Sequence, residues 1–420
     1  MSGSAQLIGT SPDLSAVMDA LSSGEPAALR SLRTAAWETA QSRPAPQPTD
    51  EEWRRTDPRR FDPERWPLAA PAATRPSGDS AAETALAEPF DAVLTVWPGG
   101  WSLDDRSGVV RSGELRVRTL GEALASDAAS AGSLWEMAPS VGPRDRHEWW
   151  ALALASPALL IEVADRARLE RGVLVWSFAP AGALWCPWLG VRVGAGAALH
   201  VAERLEGETD ADGLTIATVR FAVAEEGRLR LARLQHLGGG AAEMDYVFGR
   251  LDREAQLELV SLQIGARAVR SRVGADAAAP GAAARMSGLA VGIGRQHVDQ
   301  QTVQVHTAPD TSSDLLFKVA VRDRAHSVYR GLIGARRGAV RITALQRNHN
   351  LVLNDGARAD SLPGLLIDAD DLTCTHGATI GSLDPEQIHY LRSRGLSDSA
   401  ARQLLLEGYF EEILGRLALP

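Results

Sequence analysis

The sequence predicts a mainly β protein whose many short strands are flanked by helical regions at both ends of the chain. From residue 158 to 375 the apolar segments are short, and Gly, Asp or Pro turn residues separate them. All 11 Trp residues lie at or before Trp188, so the later segments are filled by Val, Leu, Ile and Ala. In the last third of the sequence, apolar segments begin at nearly constant steps of 11, 12, 11 and 14 residues, at Phe317, Val328, Val340, Leu351 and Leu365.

A constant step without helical connections is typical of a β-solenoid. A single rung, meaning one turn of the solenoid, cannot bury its inward side chains alone, so successive rungs stack and share a continuous core. Small aliphatic residues suit such narrow layers. The spacing favours this fold, but a β-sandwich also places strands roughly every 8–12 residues and stays open on spacing alone.

The chain divides into three regions. Residues 1–90 are predicted to be helical over 12–41, with Pro- and Ala-rich linkers at 42–50 and 67–88. Residues 91–380 form the β core, with helical insertions near 119–155. Residues 381–420 form a helical hairpin in which Asp384, Pro385 and Gln387 have the chemistry of a helix start and Gly395 fits a C-cap.

Composition and missing motifs exclude several functions. The net charge of −9 argues against nucleic acid or an anionic membrane surface as a partner, and no apolar run is long enough to cross a membrane. The only lysine, Lys318, follows Phe317, so there is no P-loop, and no dinucleotide or hydrolase motif is present. With only Cys186 and Cys374, a disulfide framework is excluded and we expect a reducing cytoplasm.

Cys374 and His376 are the candidate site. Two residues apart on a strand, their side chains point to the same face, so thiolate and imidazole could approach one metal ion. Two ligands alone hold a metal ion poorly. The competing interpretation is structural, because a single strand cysteine is usually a small buried hydrophobe and a single histidine usually a packed one. We interpret Cys186 as structural.

Residues 346–412, with Cys-Thr-His-Gly-Ala-Thr at 374–379, closely resemble the carboxy-terminal part of the SufB/SufD family of iron–sulfur cluster assembly scaffolds. The segment 306–333 (HTAPDTSSDLLFKVAVRDRAHSVYRGLI) fits the same family, as does Trp53-Arg54-Arg55-Thr56-Asp57 near the N-terminus. The motif at 374–379 is similar to SufD, whose members carry Cys-x-His-Gly-Ala-Thr, rather than to SufB, whose members usually have a Glu-His-Glu-Ala variant and a later cysteine. No cysteine follows Cys374 here. Cys186-Pro187 departs from the family, where we expect His-Pro.

The resemblance implies a right-handed parallel β-helix with helical ends and a non-catalytic scaffold role. It implies pairing with SufB, one SufC ATPase on the C-terminal hairpin, and a sulfur-donating desulfurase that acts through SufB. A transient iron–sulfur cluster would form at the SufB interface, with His376 as direct ligand and Cys374 in support; reduced flavin in the complex is a further expectation. The apolar face predicted to dock SufC comprises Leu404, Leu405, Tyr409, Phe410 and Ile413.

Two alternatives remain at this level. Within the family, the chain could be a SufB-like or homodimeric scaffold that binds flavin, which visible absorbance of the purified protein would reveal. Outside the family, it could be a polysaccharide-acting β-helix enzyme. The low aromatic content after Trp188 and the C-terminal resemblance argue against that enzyme.

Overall fold

A computed structural model describes Leu21 and residues 25–70, 85–142, 144–169 and 171–417. Residues 12–24 of the helical region predicted over 12–41 lie outside the described residues, Leu21 excepted, and so does the centre of the linker predicted over 67–88. The described N-terminal region contains helix α1 (Ala27–Ser42) and two short 3-10 turns at Pro58–Phe61 and Pro63–Arg65. Leu29, Arg33, Ala36 and Ala40 form the buried stripe of α1, at the spacing of one helical face.

Between this region and the C-terminal helices, the described residues form twenty strands and three short helices. The strands are β1 (Ala92–Trp97), β2 (Gly100–Asp105), β3 (Leu115–Thr119), β4 (Ala158–Val163), β5 (Val173–Phe178), β6 (Leu184–Trp185), β7 (Trp188–Val193), β8 (Ala198–Glu206), β9 (Asp212–Val223), β10 (Arg228–His236), β11 (Gly240–Leu251), β12 (Gln256–Gln263), β13 (Ala268–Ala277), β14 (Ala283–Gly292), β15 (His297–His306), β16 (Ser312–Val321), β17 (His326–Ala335), β18 (Thr343–Val352), β19 (Arg358–Ile367) and β20 (Thr373–Gly381). The helices, inserted between β3 and β4, are α2 (Leu120–Ser126), α3 (Ala128–Glu136) and α4 (Arg146–Ala153).

The strands form two facing sheets of a β-solenoid of about eight turns. Sheet 1 has the order β2-β1-β5-β8-β10-β12-β14-β16-β18-β20, and sheet 2 has the order β19-β17-β15-β13-β11-β9-β7-β4-β3. From β4 onward each strand pairs in parallel with the strand one rung later, as when Leu289 aligns with Lys318 and Asn348 with Ala378. This parallel pairing confirms the predicted solenoid and excludes the sandwich, whose sheets are antiparallel.

The predicted strand spacing was wrong in one segment. Val340 lies in a turn, and Leu351 lies near the end of the single strand β18, so two predicted strands are one. One rung takes about 30 residues and two strands, rather than a strand every 11 or 12 residues. The apolar pattern did not predict the correct bounds of β18, because its inward residues include Gln346, Asn348 and Asn350, which are buried although they are polar.

The interior changes character along the solenoid. In the first rungs it is filled by aliphatic and aromatic side chains such as Val191, Leu199 and Phe221. A buried ion cluster follows, in which Arg233 donates to Asp245 at 2.6 Å and also to Glu203. In the last rungs the inward side chains are largely polar and include Gln300, Thr302, Gln304, His306, Gln346, Asn348 and Asn350.

Both outer faces of the solenoid carry covers. The N-terminal region packs on sheet 2, where the Thr56 hydroxyl donates to Asp299 at 2.6 Å and the Arg270 guanidinium lies 3.8 Å from the Trp53 ring centroid. On sheet 1, the C-terminal hairpin of α5 (Pro385–Ser393) and α6 (Asp398–Leu414) is anchored through Ile413.

The hairpin begins and ends as predicted. Asp384 caps α5 with Pro385 in its first turn, Gly395 takes a left-handed φ of 95°, and Ser397 caps α6. The covers leave the last rung, β19 and β20, at an open end of the solenoid.

Candidate functional site

The last rung has two unpaired edges. β19 bonds only to β17 and β20 only to β18 among the described strands. Because Thr373 N–H donates to Ile342, the odd-numbered residues of β20 bond to the solenoid and the even-numbered ones direct N–H and C=O to the open edge. Cys374, His376 and Ala378 therefore present free backbone groups there.

Cys374 and His376 occupy the inward row of this rung. Their register partners on β18 are Ala344 and Gln346, which are both fully buried. The predicted common face is confirmed by this register. Since no described strand stacks above them, His376 is exposed, whereas Cys374 is half-buried against Ala339 and its neighbours in a small apolar cluster.

The two side chains differ in electrostatic state. Burial raises the pKa of the Cys374 thiol, so at neutral pH the sulfur carries its proton. The His376 imidazole has no hydrogen-bond partner within the described part of the chain, so both of its nitrogens are available. A neutral imidazole is a metal ligand as it stands, whereas this thiol must first lose a proton.

These residues provide at most half of a metal site. No group of three or more His, Cys, Asp or Glu side chains within the described ranges is close enough to hold a metal ion. Tetrahedral iron in a cluster takes sulfide ligands together with thiolate or imidazole from protein, so a cluster at His376 would need ligands from another chain. The ligand roles of His376 and Cys374 stay predictions.

An apolar patch lies beside His376 on the same open end. Leu365 and Ile367 belong to the inward row of β19, and Ile380 belongs to that of β20. Their side chains are 43%, 37% and 53% exposed, respectively. In any earlier rung the equivalent positions are covered by the next rung, so this patch has the composition of a core without its cover.

The hairpin residues predicted to dock a partner separate into two groups. Ile413 is fully buried, and Phe410 packs beside it, against Leu316 and other residues of sheet 1. The Tyr409 hydroxyl donates to the carbonyl of His349 at 2.6 Å.

The predicted docking face is therefore corrected. The solenoid itself covers the side of α6 that carries Tyr409, Phe410 and Ile413. Leu404 is 47% exposed and Leu405 is partly exposed, so these two leucines remain available to a partner.

Sequence reasoning missed the polar residues under the site. Asn348 Oδ1 accepts hydrogen bonds from Asn350 at 2.5 Å and from Ser361 at 2.8 Å, which ties β18 to β19 across the interior. Gln346, beneath His376, is 1% exposed. The signal was present as an alternation of polar residues at 346, 348 and 350, but a search for apolar periodicity does not detect polar core positions.

Cys186 is not part of this site. It was predicted to be structural, and it is buried far along the chain from the last rung.

Comparison with known proteins assigns the family. The family model described as "SUF system FeS cluster assembly, SufBD core domain" matches residues 179–409, which is more than half of the chain. The chain belongs to the SufBD family. The match covers the solenoid strands from β6 onward and most of the C-terminal hairpin, and it extends well upstream of the resembling segments 306–333 and 346–412.

Relatives in the SufBD family support this assignment. An iron–sulfur cluster assembly SufBD family protein of Mycobacterium tuberculosis is 31% identical over 288 residues, covering 66% of this chain and 71% of that protein. Two proteins named SufD are similar over shorter stretches. SufD of Escherichia coli is 36% identical over 129 residues, and SufD of Bacillus subtilis is 33% identical over 131 residues, each covering 31% of this chain and 30% of the relative. No helix among the described residues is long and apolar enough to span a membrane.

Proposed function

We propose that this chain is a SufD-type, non-catalytic scaffold subunit that pairs with SufB across the open end of its solenoid and contributes His376 to a nascent iron–sulfur cluster. The observation that carries the proposal is the position of His376. It lies in the inward row of a rung on which, within the described ranges, no further strand or rung stacks. The cluster would be a product that the complex builds and releases. Because two chains would share its ligands, this chain needs to supply only some of them.

The open end supports pairing with another chain. Exposed strand edges are normally blunted or covered, and β20 offers unpaired N–H groups beside exposed Leu365, Ile367 and Ile380. Burying these side chains together with the edge removes apolar surface from water and satisfies the backbone groups. SufB is the proposed occupant, because a second scaffold of the same family presents the same kind of rung.

A SufD-type role agrees with the ligand chemistry. No cysteine follows Cys374 in the sequence, so the chain lacks a second thiolate near the open end. His376 would act as the direct ligand through a neutral nitrogen. Cys374, whose pKa is raised, would support the site as a thiol that ionises when iron binds. Thiolates from SufB would complete the cluster, and a desulfurase acting through SufB would supply sulfur.

The remaining partners are those that membership of the SufBD family implies. SufC would supply ATP hydrolysis and dock on the exposed side of the hairpin at Leu404 and Leu405, and this sequence itself has no P-loop. Reduced flavin, if the complex uses it, would be held in the complex rather than by residues identified here. The proposal places the complex in the reducing cytoplasm, where the partly exposed Cys374 thiol stays reduced.

Co-expression with the cognate SufB and SufC tests the proposal. We expect the three chains to co-elute from a size-exclusion column as one complex, and to separate when the chain is truncated before β19. Elution of the chain alone, or only as a homodimer in the presence of both partners, would contradict the proposed pairing. The homodimer result would support the alternative of a self-pairing scaffold.

A further inference from the structure

A column of three side chains, Lys318, His349 and Thr379, runs along the outer face of sheet 1 toward the open edge. Lys318 of β16 aligns with His349 of β18, and His349 aligns with Thr379 of β20. Helix α6 contacts the first two of these residues, and Thr379 lies on the outermost strand of the sheet. The column therefore connects the hairpin, where a partner is expected to dock, with the strand that carries Cys374 and His376.

Tyr409 attaches α6 to the first two members of the column. Its backbone carbonyl accepts a hydrogen bond from Lys318 Nζ at 2.8 Å, and its hydroxyl donates to the carbonyl of His349 at 2.6 Å. Leu405, one of the two leucines that remain available to a partner, precedes Tyr409 by about one helical turn. A partner that holds Leu405 in place therefore also holds Tyr409 and the part of β18 to which it bonds.

The ring of His349 continues the column to β20. Its Nδ1 lies 2.7 Å from the Thr379 hydroxyl oxygen. Partial burial lowers the pKa of His349, and the nearby charges of Lys318 and Arg347 act in the same direction, so the imidazole is neutral at neutral pH. A neutral Nδ1 can accept the hydrogen bond that the Thr379 hydroxyl donates. The contact therefore needs no change of charge to form.

Thr379 is the point at which side chains hold β20. In the described part of the chain, the side-chain hydrogen bonds that reach this strand are that of His349 with the Thr379 hydroxyl and that of Asn350 with the Thr379 carbonyl, at 3.2 Å. Asn350 bonds from the interior and His349 from the outer face. How firmly Thr379 is held therefore affects the order of the strand that presents His376 at the open edge.

We propose that His349 is a positioning residue that transmits the docking of a partner on the hairpin to β20. A docked SufC immobilises α6, Tyr409 then fixes the backbone of His349, and the His349 ring restricts Thr379 and the strand around it. A strand that is already ordered loses less conformational entropy when it pairs with a second chain. The inference rests on the proposed function for the identity of the partners, whereas the hydrogen bonds belong to this chain alone.

Hydrogen–deuterium exchange of β20 tests this transmission. The exchange of peptides that cover β20 is followed by mass spectrometry in the full-length chain, alone and with saturating SufC. We expect SufC to slow this exchange by about fivefold or more, the low end of the usual coupling between two sites. β19 belongs to sheet 2, whereas the hairpin packs on sheet 1, so β19 serves as the internal reference and should exchange at an unchanged rate.

Variants of the column identify the residue responsible. His349→Leu removes the bond to Thr379, so the effect of SufC on β20 should disappear. His349→Asn retains an acceptor near the position of Nδ1 and should retain most of the effect. Thr379→Val changes an exposed residue and keeps its shape, so it should remove the effect even if His349→Leu disturbs the fold. His236→Leu, at an exposed histidine of β10, is the matched control and should respond to SufC as the wild type does.

The outcomes separate the inference from the proposed function. Equal slowing of β20 in the wild type and in Thr379→Val, or no slowing in a wild type that co-elutes with SufC, would overturn the inference and leave SufC docking intact. If SufC does not bind the chain, the proposed docking fails, and the column is tested without a partner. Tyr409→Phe in the isolated chain should then speed the exchange of β20 by roughly two- to fivefold, up to the effect of one lost hydrogen bond, and an unchanged rate would overturn the inference.

Discussion

A histidine can serve as a ligand in an assembly scaffold when its ring is reachable by iron and by the partner chain. His376 meets this condition because it is exposed at an open end, whereas His297 and His306 are buried within the chain. Burial lowers the pKa of both buried histidines to about 4. Their ring nitrogens contact hydroxyl groups of this chain, so they are structural residues.

At the scale of this residue, we predict that His376→Ala lowers the yield of cluster without preventing assembly of the complex. An exposed side chain at an edge contributes little to folding, so the variant should elute with SufB and SufC as the wild type does. Iron and acid-labile sulfide per complex should fall by roughly tenfold or more. Losing a residue that only orients a metal ligand already weakens metal binding by about 10- to 100-fold, and His376 would be the ligand itself.

His236→Ala provides the matched control for this experiment. His236 is also exposed, but it lies on β10, five strands before β20 in sheet 1. Its removal should leave iron and sulfide content unchanged. An undiminished cluster content in His376→Ala would refute the ligand role while leaving the family assignment intact.

At the scale of the element, the two edge strands of the last rung are not equivalent. On β19 the odd-numbered residues face the open edge, because the N–H of Arg358 donates to Ala325, just before β17, and the N–H of Asp368 donates to Ala335 of β17. Pro363 is one of these odd-numbered residues and has no N–H, so the β19 edge is interrupted at its centre. On β20 the even-numbered residues form an edge without such a gap, and a partner strand should pair there.

We therefore predict that Ala378→Pro on β20 blocks pairing with SufB. The N–H of Ala378 faces the open edge, so proline removes no hydrogen bond within the chain and its ring projects toward the incoming strand. The complex should be lost or reduced on size exclusion while the melting temperature of the isolated chain changes little. Ala378→Thr, which keeps the N–H, should assemble normally, and an intact complex in the proline variant would exclude β20 as the docking edge.

The same scale shows what the sequence could and could not predict. The regular apolar alternation along β10 and β12 indicates these two strands directly from the sequence. It failed at β18, because a solenoid can fill its interior with amides that bond to each other. The positions of Cys374 and His376 on one face followed from strand geometry alone, but their place on the uncapped rung depends on where the stacking stops.

The C-terminal hairpin illustrates a second limit. Its apolar residues were identified correctly, but not which of them meet the solenoid. Lys318, the only lysine in the sequence, decides this by donating from β16 to the carbonyl of Tyr409 at 2.8 Å and pairing with Glu412 at 2.9 Å. These contacts hold α6 with Ile413 inward and Leu404 outward. A long-range contact of this kind has no local signal in the sequence.

At the scale of the whole molecule, the solenoid combines a covered, apolar beginning with an uncovered, polar end. The N-terminal region and helices α2–α4 cover sheet 2, and the C-terminal hairpin covers part of sheet 1. Buried polar groups without a hydrogen-bond partner occur along the whole described solenoid, and those of Gln346 and Asn350 lie directly beneath the open rung, where a partner is expected.

The polar interior also makes the stability of the whole chain sensitive to acid. His306 is fully buried, and its nitrogens lie 2.7 Å from the Thr311 hydroxyl and 2.8 Å from that of Ser313. Burial lowers its folded pKa to about 4, whereas an unfolded histidine titrates near 6.5. The unfolded chain therefore binds a proton that the folded chain does not. The contribution is fully present above the unfolded pKa and is lost as the pH falls toward about 4.

We predict that the free energy of unfolding decreases as the pH is lowered through this window, by up to about 1.4 kcal/mol per pH unit for each such histidine. His306→Asn keeps a polar side chain but removes one titrating group. The unfolding of this variant should therefore take up about one proton fewer, and its unfolding free energy should change less steeply with pH. Urea unfolding across the window measures both slopes. Equal slopes in wild type and His306→Asn would mean that His306 does not govern the acid response, and the loss would then come from other titrating groups, among them the other histidines whose pKa burial lowers, which are His147, His200, His297 and His349.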